Sequence, residues 1–285
     1  MGVPTRYLLG GAGLYAGVAT AAYIRVKTDQ CPEGCEHAQN PDGQAFNALA
    51  DTYDQQIGWD EKLMGITLLR WMLLRQAKGD VLEVSAGTGR NLSYYNNQQV
   101  NSVTMSDTSK NMLWHARQKH DRRSSTLPVK FCLADAQRMV SDPSVSQANR
   151  KHDDVSMSEQ SQHASRLQNK LETFSPARFD TVIDTFGLCS HEDPKAALQQ
   201  MAAVCKPGGQ IILLQHGKAS WGWLNHRLDD EAQAHFAKWG CWWNRDILQL
   251  VHEAGLIVES CSRWHFGTTY VIKARPPQQN IQSCF

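Results

Sequence analysis

The stretch GDVLEVSAGTGRN, residues 79–91, carries the local pattern that best predicts the fold class of this chain. It begins with a short apolar run, VLEV at residues 81–84, and passes directly into a turn of small residues. This order is typical of a buried strand that ends in a tight turn and leads into a helix. Because Gly87 and Gly89 have no side chains, backbone N–H groups can approach a ligand closely at the start of that helix. The stretch therefore predicts a ligand site at the carboxyl end of the first strand.

Strand-like and helix-like patterns alternate from about Phe46 onwards. This alternation predicts a doubly wound parallel sheet, which is a Rossmann-like α/β fold. The segments IVESCSR (257–263) and TTYVIKA (268–274) are separated by only four residues and predict an antiparallel hairpin at one sheet edge. The other predicted strands are 102–107, 129–135, 179–186 and 209–216, and the predicted helices are 63–73, 112–119 and 194–205.

Composition excludes several classes of protein for these 285 residues. Lys and Arg (29) nearly balance Asp and Glu (28), so the chain lacks the basic excess of a dedicated nucleic-acid binder. A hydrophobic fraction of 41% excludes a wholly disordered chain, and a mean hydropathy of −0.46 excludes a multi-span membrane protein. Most of the eight cysteines lie in predicted strands and helices, a distribution typical of a reducing compartment. Cys31 and Cys35 form the only close pair and are interpreted as ordinary thiols, since the spacing suits neither a redox nor a zinc motif.

The N-terminal segment, residues 1–27, is predicted to be an anchor or targeting sequence. Residues 7–24 carry no charge and would span roughly 27 Å as a helix, which predicts one transmembrane helix. A cleaved signal peptide and an acid-poor organelle presequence are the alternatives. A polar neck, 28–45, leads into a domain at 46–275.

Two further segments lie outside the alternating pattern. Residues 141–176 are polar and poor in aromatic residues, so they predict a long surface insertion, at least partly disordered, between the third and fourth strands. Residues 276–285 are interpreted as a tail.

Asp107, at the end of the second strand, is a candidate ligand for ribose hydroxyls. It lies 18 residues beyond Gly89, a separation typical of the carboxylate in nucleotide-binding folds. A helix cap is the plain alternative. A dinucleotide cofactor is disfavoured because Leu92 stands where the third glycine of G-x-G-x-x-G belongs.

A set of motifs carries a family resemblance over residues 46–275. The motifs, in order, are VLEVSAGTGRN, VTMSDTSKNML, LADAQRM, FDTVIDTFGLCS and VCKPGGQIILLQHG. They resemble class I S-adenosylmethionine-dependent methyltransferases, within them the UbiE-like group, and most of all the membrane-anchored Oms-type mitochondrial methyltransferase-like proteins. The resemblance implies a seven-stranded sheet, S-adenosylmethionine as cofactor, and a single-pass protein of a mitochondrial membrane, the inner one.

The same resemblance implies roles for individual residues. Ser85 replaces the usual first glycine of the turn, and Gln215 replaces a usual glutamate before His216. Asp107 would take the ribose hydroxyls, Asp135 the adenine amino group and the backbone of Ala136 the adenine ring edge. The remaining implied contacts are Glu83, Ser85, Gly87 and Gly89 around the methionine part, Thr185 near its ammonium group, and Tyr53 over the bound cofactor.

Methyl transfer requires few obligatory residues, because in-line transfer from a sulfonium depends mainly on alignment and exclusion of water. His191 and His216, which follow the fourth and fifth strands, are candidate general bases, with structural histidines as the alternative. Asn244 is predicted to cap a helix with Asp246 in its first turn, and a catalytic role for these residues is the alternative. Four tryptophans are predicted either to line an acceptor pocket or to belong to the core, namely Trp239, Trp242, Trp243 and Trp264.

A small apolar acceptor, quinone-like, lipid-like or a thiol, fits the predicted anchor and the aromatic content. No Asn/Asp-Pro-Pro-Tyr/Phe motif follows the fourth strand, which disfavours a nucleobase acceptor. The alternatives are a non-catalytic, membrane-tethered scaffold that keeps the fold and, third, a nicotinamide oxidoreductase. Protein partners are not identified by the sequence.

Overall fold

The computed structural model describes residues 44–140 and 171–277. The helices of these residues are α1 (Gln44–Leu63), α2 (Ile66–Leu74), α3 (Lys110–Asp121), α4 (Pro194–Val204), α5 (Gly222–Trp239) and α6 (Ile247–Glu253). The strands are β1 (Gly79–Val84), β2 (Val100–Asp107), β3 (Val129–Leu133), β4 (Phe179–Thr185), β5 (Cys205–His216), β6 (Ile257–Trp264) and β7 (Thr269–Arg275).

All seven strands form one sheet in the order β3-β2-β1-β4-β5-β7-β6. The first five strands pair in parallel, as Leu82 beside Val182 and Met105 beside Phe131 illustrate. Helices on both faces cover the sheet, which explains why β1 and β4 are buried along most of their length rather than at alternate residues. The predicted Rossmann-like α/β sheet is therefore confirmed. Its carboxyl edge brings the ends of β1, β2 and β4 together.

The predicted C-terminal hairpin is also confirmed. Strand β7 runs antiparallel to both β5 and β6, with Leu213 beside Ile272 and Cys261 beside Ile272. A short 3₁₀ turn at His265–Gly267 joins β6 to β7. The connection between β6 and β7 is too short for the crossover that parallel strands would need, so these two strands pair antiparallel.

The start of α6 differs from the prediction. The carboxylate of Asp246, not Asn244, caps the helix by accepting the N–H of Gln249 at 3.1 Å. Asn244 instead donates to the Asp229 carboxylate of α5 at 2.8 Å. Both residue types are good caps, so a tertiary hydrogen bond to another helix decided which of them serves.

Several predictions fall on residues that the structure does not describe. These are the uncharged segment 7–24, the Cys31–Cys35 pair, nearly all of the neck, most of the tail and residues 141–170 of the predicted insertion. Among the helices within 44–140 and 171–277, none is both long and apolar enough to cross a membrane. The described end of the predicted insertion is not wholly a surface segment, because Phe174 is only 2% exposed and pairs with Val140.

Candidate active site

A cavity opens at the carboxyl edge of the sheet, under the N-terminal helix α1. Its wall combines the turn after β1, the ends of β2 and β4, and single turns of α1, α2 and α3. Ligand sites in open α/β sheets lie at this edge, where neighbouring strands lead to opposite faces. The lining residues are Phe46, Tyr53, Arg70, Glu83, Ser85–Thr88, Arg90, Asn91, Asp107, Thr108, Met112, Asp135, Gln137, Thr185–Gly187 and Ser190–Glu192.

The turn after β1 has the tight, left-handed backbone that its small residues predict. Ser85 has φ 51° and Gly87 has φ 54°, so both residues adopt the left-handed conformation. A left-handed conformation is costly for a residue with a Cβ, and glycine avoids that cost. This explains why the family resemblance implies glycine at position 85, where this chain has Ser85. A Cβ built on Gly87 would meet nothing within 4 Å, so the cavity reaches the backbone there.

Asp107 joins this turn to the end of β2. One carboxylate oxygen accepts the N–H of Gly87 and the other accepts the N–H of Ser109, each at 2.8 Å. Burial raises the pKa of Asp107, although these backbone donors act in the opposite direction. The carboxylate is therefore held beside Gly87, where the cavity reaches the backbone.

Glu83 anchors a buried polar network at the inner end of the cavity. Its side chain accepts from Asn91 Nδ2 at 3.0 Å and from the hydroxyl of Tyr95. Asn91 also donates to Thr185 Oγ1 at 3.0 Å, and Arg70 Nη1 donates to the same oxygen at 2.8 Å. Burial raises the pKa of Glu83 to about 7, so near neutral pH its protonated and ionised forms are both populated.

Helix α1 is attached over the cavity by ion pairs. Arg90 bridges Asp54 at 3.0 Å and Glu61 at 2.7 Å, and these carboxylates lie two turns apart on the same face of α1. Arg70 pairs with Glu61 at 2.8 Å, and Lys119 of α3 pairs with Asp54. Burial acts to raise the pKa of Glu61, but its two arginine partners lower it overall. The pairs therefore stay ionised at neutral pH and hold the helix that carries Tyr53 against the cavity.

His191 is the histidine that faces the cavity. Its Nε2 lies 3.2 Å from Ser85 Oγ. Burial lowers the pKa of His191 to about 4, so its imidazole is neutral at physiological pH. His216 is not among the lining residues, and its Nε2 lies 2.7 Å from Cys241 Sγ instead.

The remaining predicted site residues divide into two groups. Tyr53, Asp135 and Thr185 line the cavity, and Asp135 also caps a 3₁₀ turn by accepting the N–H of Gln137 at 2.9 Å. Gly89 and Ala136 do not line it. At Gly89 a Cβ would press on Leu92 and Ala116, so this glycine allows close packing of α3. The four tryptophans predicted as an acceptor wall or as core are also absent from the lining.

Sequence reasoning missed the role of Arg70 and Asn91. Arg70 is 4% exposed and lies on the same buried face of α2 as Leu69 and Leu73. A charged residue within an apolar helical stripe was the available signal, since such a residue is rarely buried without partners. Asn91 carried no comparable signal.

Comparison with known proteins identifies related sequences. A family model described as "Methyltransferase domain" matches residues 58–260. The mitochondrial methyltransferase OMS1 of Saccharomyces cerevisiae is 34% identical over 231 residues, which are 81% of this chain and 45% of the yeast protein. A demethylmenaquinone methyltransferase of Leptospira interrogans is 26% identical over 191 residues, which are 65% of this chain and 64% of that protein. The chain thus spans about half to two thirds of these relatives.

Solved structures share the fold at low sequence identity. A putative methyltransferase complex with the Trm112 activator of Haloferax volcanii superposes with a TM-score of 0.57 at 15% identity, covering 83% of this chain and 97% of that one. The DhpI complex with SAH has a TM-score of 0.52 at 17% identity, covering 84% and 96%. At such identities the likeness shows the fold alone.

Proposed function

The chain belongs to the methyltransferase domain family, and from that premise we propose that it transfers the methyl group of S-adenosylmethionine to a small, apolar, quinone-like acceptor. The observation that carries this proposal is the open cavity bounded by Gly87 and the Asp107 carboxylate.

The cavity residues fit an S-adenosyl group by their chemistry. Asp107 offers carboxylate oxygens, which suit ribose hydroxyls. The open space beside Gly87 leaves room against the backbone of the turn. Asp135 would accept from the adenine amino group. At the opposite end, Glu83 and Thr185 line the cavity and would offer oxygen atoms to the ammonium group of the methionine part.

S-adenosylmethionine supplies an activated methyl group, so the protein needs only to orient the partners and exclude water. Helix α1 and its Tyr53 cover the cavity and would limit the entry of water. Arg90 and Glu61 keep α1 in this position.

His191 would receive the proton of an acceptor that must lose one. It is neutral at physiological pH and faces the cavity beside Ser85. Its low pKa makes His191 a weak base, so it suits an acceptor that becomes strongly acidic only as the methyl group bonds to it. The alternative base, His216, stays a prediction from sequence.

A quinone-like acceptor is favoured by two observations. The Leptospira relative carries a name that specifies demethylmenaquinone as its substrate. In addition, this chain exposes an aromatic cluster, in which the ring of Trp221 lies 6.1 Å from that of Trp223 and 5.4 Å from that of Phe266. Exposed tryptophans are typical of surfaces that contact a membrane interface, where quinones reside.

Two observations favour a mitochondrial membrane as the location of this protein. The yeast relative is named as mitochondrial, and residues 7–24 form an uncharged run that is long enough to span a bilayer. We therefore propose a single-pass protein of the mitochondrial inner membrane. Protease protection and alkaline extraction of isolated mitochondria test this location, and release of the full chain by alkali would contradict it.

Calorimetry with S-adenosylhomocysteine tests the cofactor. The full chain should bind this compound, and Asp107→Asn should weaken binding by about 10–100-fold, because a carboxylate that accepts several donors is lost. Asp180→Asn is the matched control, since Asp180 lies at the opposite end of β4 and pairs with Lys206. Absence of binding by the unaltered chain would refute the cofactor assignment and favour a scaffold.

Label transfer tests the acceptor. The full chain in vesicles is supplied with methyl-labelled S-adenosylmethionine and, separately, a demethylated quinol, a phospholipid extract and an alkyl thiol. Label should appear in the quinone fraction alone. Label in the lipid or thiol fraction would replace the quinone with that acceptor class.

A further inference from the structure

A second group of reactive side chains lies next to the cavity and is not part of its lining. The thiols of Cys189 and Cys241 and the imidazole of His216 place one ligand atom each within 4.8 Å of one another. We call these three residues the Cys–His–Cys cluster. They come from three separate segments, the loop after β4, the end of β5 and the turn after α5, so only the fold brings them together.

Both cysteines are shielded from solvent. Cys189 is 1% exposed and Cys241 is 6% exposed. In the described part of the chain, no carboxylate belongs to the cluster, so its donors are sulfur and nitrogen only. Such donors select a borderline or soft cation over magnesium or calcium.

We propose that Cys189, Cys241 and His216 bind one Zn²⁺ ion. Two thiols and one imidazole form a ligand set that leaves one tetrahedral position for a water molecule. Binding releases the two thiol protons to solvent, and the resulting thiolates balance the charge of the cation. No redox step is involved.

The spacing suits zinc with a small adjustment. Zinc–sulfur bonds of about 2.3 Å and zinc–nitrogen bonds of about 2.0 Å place tetrahedral ligand atoms roughly 3.5–3.8 Å apart. His216 Nε2 and Cys241 Sγ are 2.7 Å apart, so they would separate by about 1 Å to admit the ion. The remaining separations between ligand atoms are at most 4.8 Å, which is about 1 Å above the tetrahedral spacing.

The backbone around the cluster is already held in place. The carbonyl of Cys189 accepts the N–H of Trp242 at 2.9 Å, which joins two ligand-bearing segments directly. Arg245 donates to the carbonyls of Leu188 and His191 at 2.8 and 2.7 Å. These bonds limit the ordering that metal binding would require, which favours affinity.

A zinc ion here would fix the loop that forms one wall of the cavity. Phe186, Ser190 and His191 of this loop line the cavity, and Cys189 lies between them. The metal would therefore act as a positioning element and would not contact the reacting atoms. The inference does not depend on the proposed methyl transfer.

Elemental analysis of the full chain tests the site directly. A background variant with Cys31, Cys35 and Cys284 each changed to Ser removes the thiols outside the described residues. After equilibration with zinc and gel filtration, this protein should retain a single zinc per chain. Replacement by cobalt should give the thiolate-to-cobalt charge-transfer band and the intense visible bands of tetrahedral coordination.

Single changes then assign the ligands. Cys189→Ser, Cys241→Ser and His216→Gln should each weaken zinc binding by more than about 100-fold, beyond the 10–100-fold that loss of an outer partner costs. Cys132→Ser is the matched control, because Cys132 is an equally buried cysteine of β3, and it should keep full zinc content. Circular dichroism of each variant without metal separates loss of a ligand from loss of folding.

Three outcomes would overturn the proposal. Trace zinc only in the background variant would show that the cluster packs without a metal. A disulfide between Cys189 and Cys241, detected by mass spectrometry under reducing-compartment conditions, would assign the thiols to each other. Folded ligand variants that keep full zinc content would place the metal elsewhere. Binding of S-adenosylhomocysteine is measured independently, so each of these results is distinguishable from failure of the proposed function.

Discussion

Two ionisable side chains on the cavity wall are displaced from their usual pKa in opposite directions. Burial raises the pKa of Glu83 to about 7 and lowers that of His191 to about 4. Both shifts have the same cause, since burial disfavours whichever form carries charge. Each group is therefore driven towards its neutral form at mildly acidic pH.

The two groups should affect stability with opposite slopes in pH. Between about pH 4 and 6.5 the unfolded chain protonates His191 and the folded chain does not, so this histidine makes the free energy of unfolding rise with pH. Between about pH 4.5 and 7 the folded chain keeps the Glu83 proton that the unfolded chain loses, so this carboxyl makes the free energy fall with pH. Each contribution is at most about 3 kcal/mol.

Single variants should separate these slopes. In Glu83→Gln, stability relative to the unaltered chain should improve as pH rises from 4.5 to 7, and in His191→Asn the advantage should appear as pH falls from 6.5 to 4. Urea unfolding at several pH values measures both. Gln at position 83 can accept from Asn91 through its amide oxygen and donate to the Tyr95 oxygen through its amide nitrogen, once the Tyr95 hydroxyl turns its proton away. Parallel pH profiles for the variants and the unaltered chain would show that neither pKa is displaced.

Substitutions at two separate glycines, Gly87 and Gly208, can distinguish the cost of backbone strain from the loss of a ligand contact. Gly87 and Gly208 both have positive φ, 54° and 76°, and a Cβ on either would meet no atom within 4 Å. Only Gly87 lines the cavity. Gly87→Ala and Gly208→Ala should each cost about 1–2 kcal/mol of stability, whereas only Gly87→Ala should weaken S-adenosylhomocysteine binding, by about tenfold or more. Calorimetry and urea unfolding measure the two effects. Equal affinity in both variants would remove Gly87 from the binding site.

At the scale of elements, α1 depends on charge for its attachment. Few of its large apolar side chains face the core, and Trp59 and Leu63 are 72% and 50% exposed. Asp54 and Glu61 instead meet Arg90 across the mouth of the cavity. A helix attached by ion pairs can open at a smaller cost than one packed into the core. This property suits an element that must admit a ligand.

Removing the bridging guanidinium should loosen α1. Arg90→Met should cost about 1–2 kcal/mol, since Arg90 is only partly exposed and serves two carboxylates. Hydrogen exchange should rise mainly within Gln44–Leu63. Arg227→Met is the control, because its pair with Glu231 is an exposed contact within α5 and should cost at most about 0.5 kcal/mol. Uniform acceleration of exchange across the sheet would argue against local opening.

At the scale of the whole molecule, the sheet and its two apolar cores are complete within the described residues. One core packs around Leu213 and Ile272, and the other packs around Leu73 and Met105. The cavity likewise draws its lining from residues 46–192. We therefore expect folding and cofactor binding to persist without the N-terminal segment.

Deletion of residues 1–27 should separate folding from membrane attachment. The shortened protein should keep the thermal midpoint and the S-adenosylhomocysteine affinity of the full chain, and it should no longer sediment with mitochondrial membranes. Differential scanning calorimetry and fractionation measure these properties. A large fall in the midpoint would mean that the segment packs on the domain, and continued sedimentation would assign membrane binding to another surface such as the Trp221–Phe266 cluster.

Much of the fold was predictable because it depends on local spacing. The run at 81–84, the turn at Gly87 and the hairpin at 257–274 each carry their pattern within a few residues, and each is present. Asp107 was recognisable as a strand-end carboxylate, and the structure brings it to the turn as its position in sequence suggested. The helix cap was wrong because Asn244 and Asp246 are equally good caps locally.

Short-range sequence patterns predict the alternation of strands and helices, the ligand turn and the family to which the motifs belong, because periodicity and turn chemistry act over short distances. Packing of distant segments is what shows that Arg70 completes the polar network, that His191 and not His216 faces the cavity, and that Cys189 lies beside Cys241. These relations join residues dozens of positions apart. They arise from how the elements pack, and no local pattern encodes which side chains then meet.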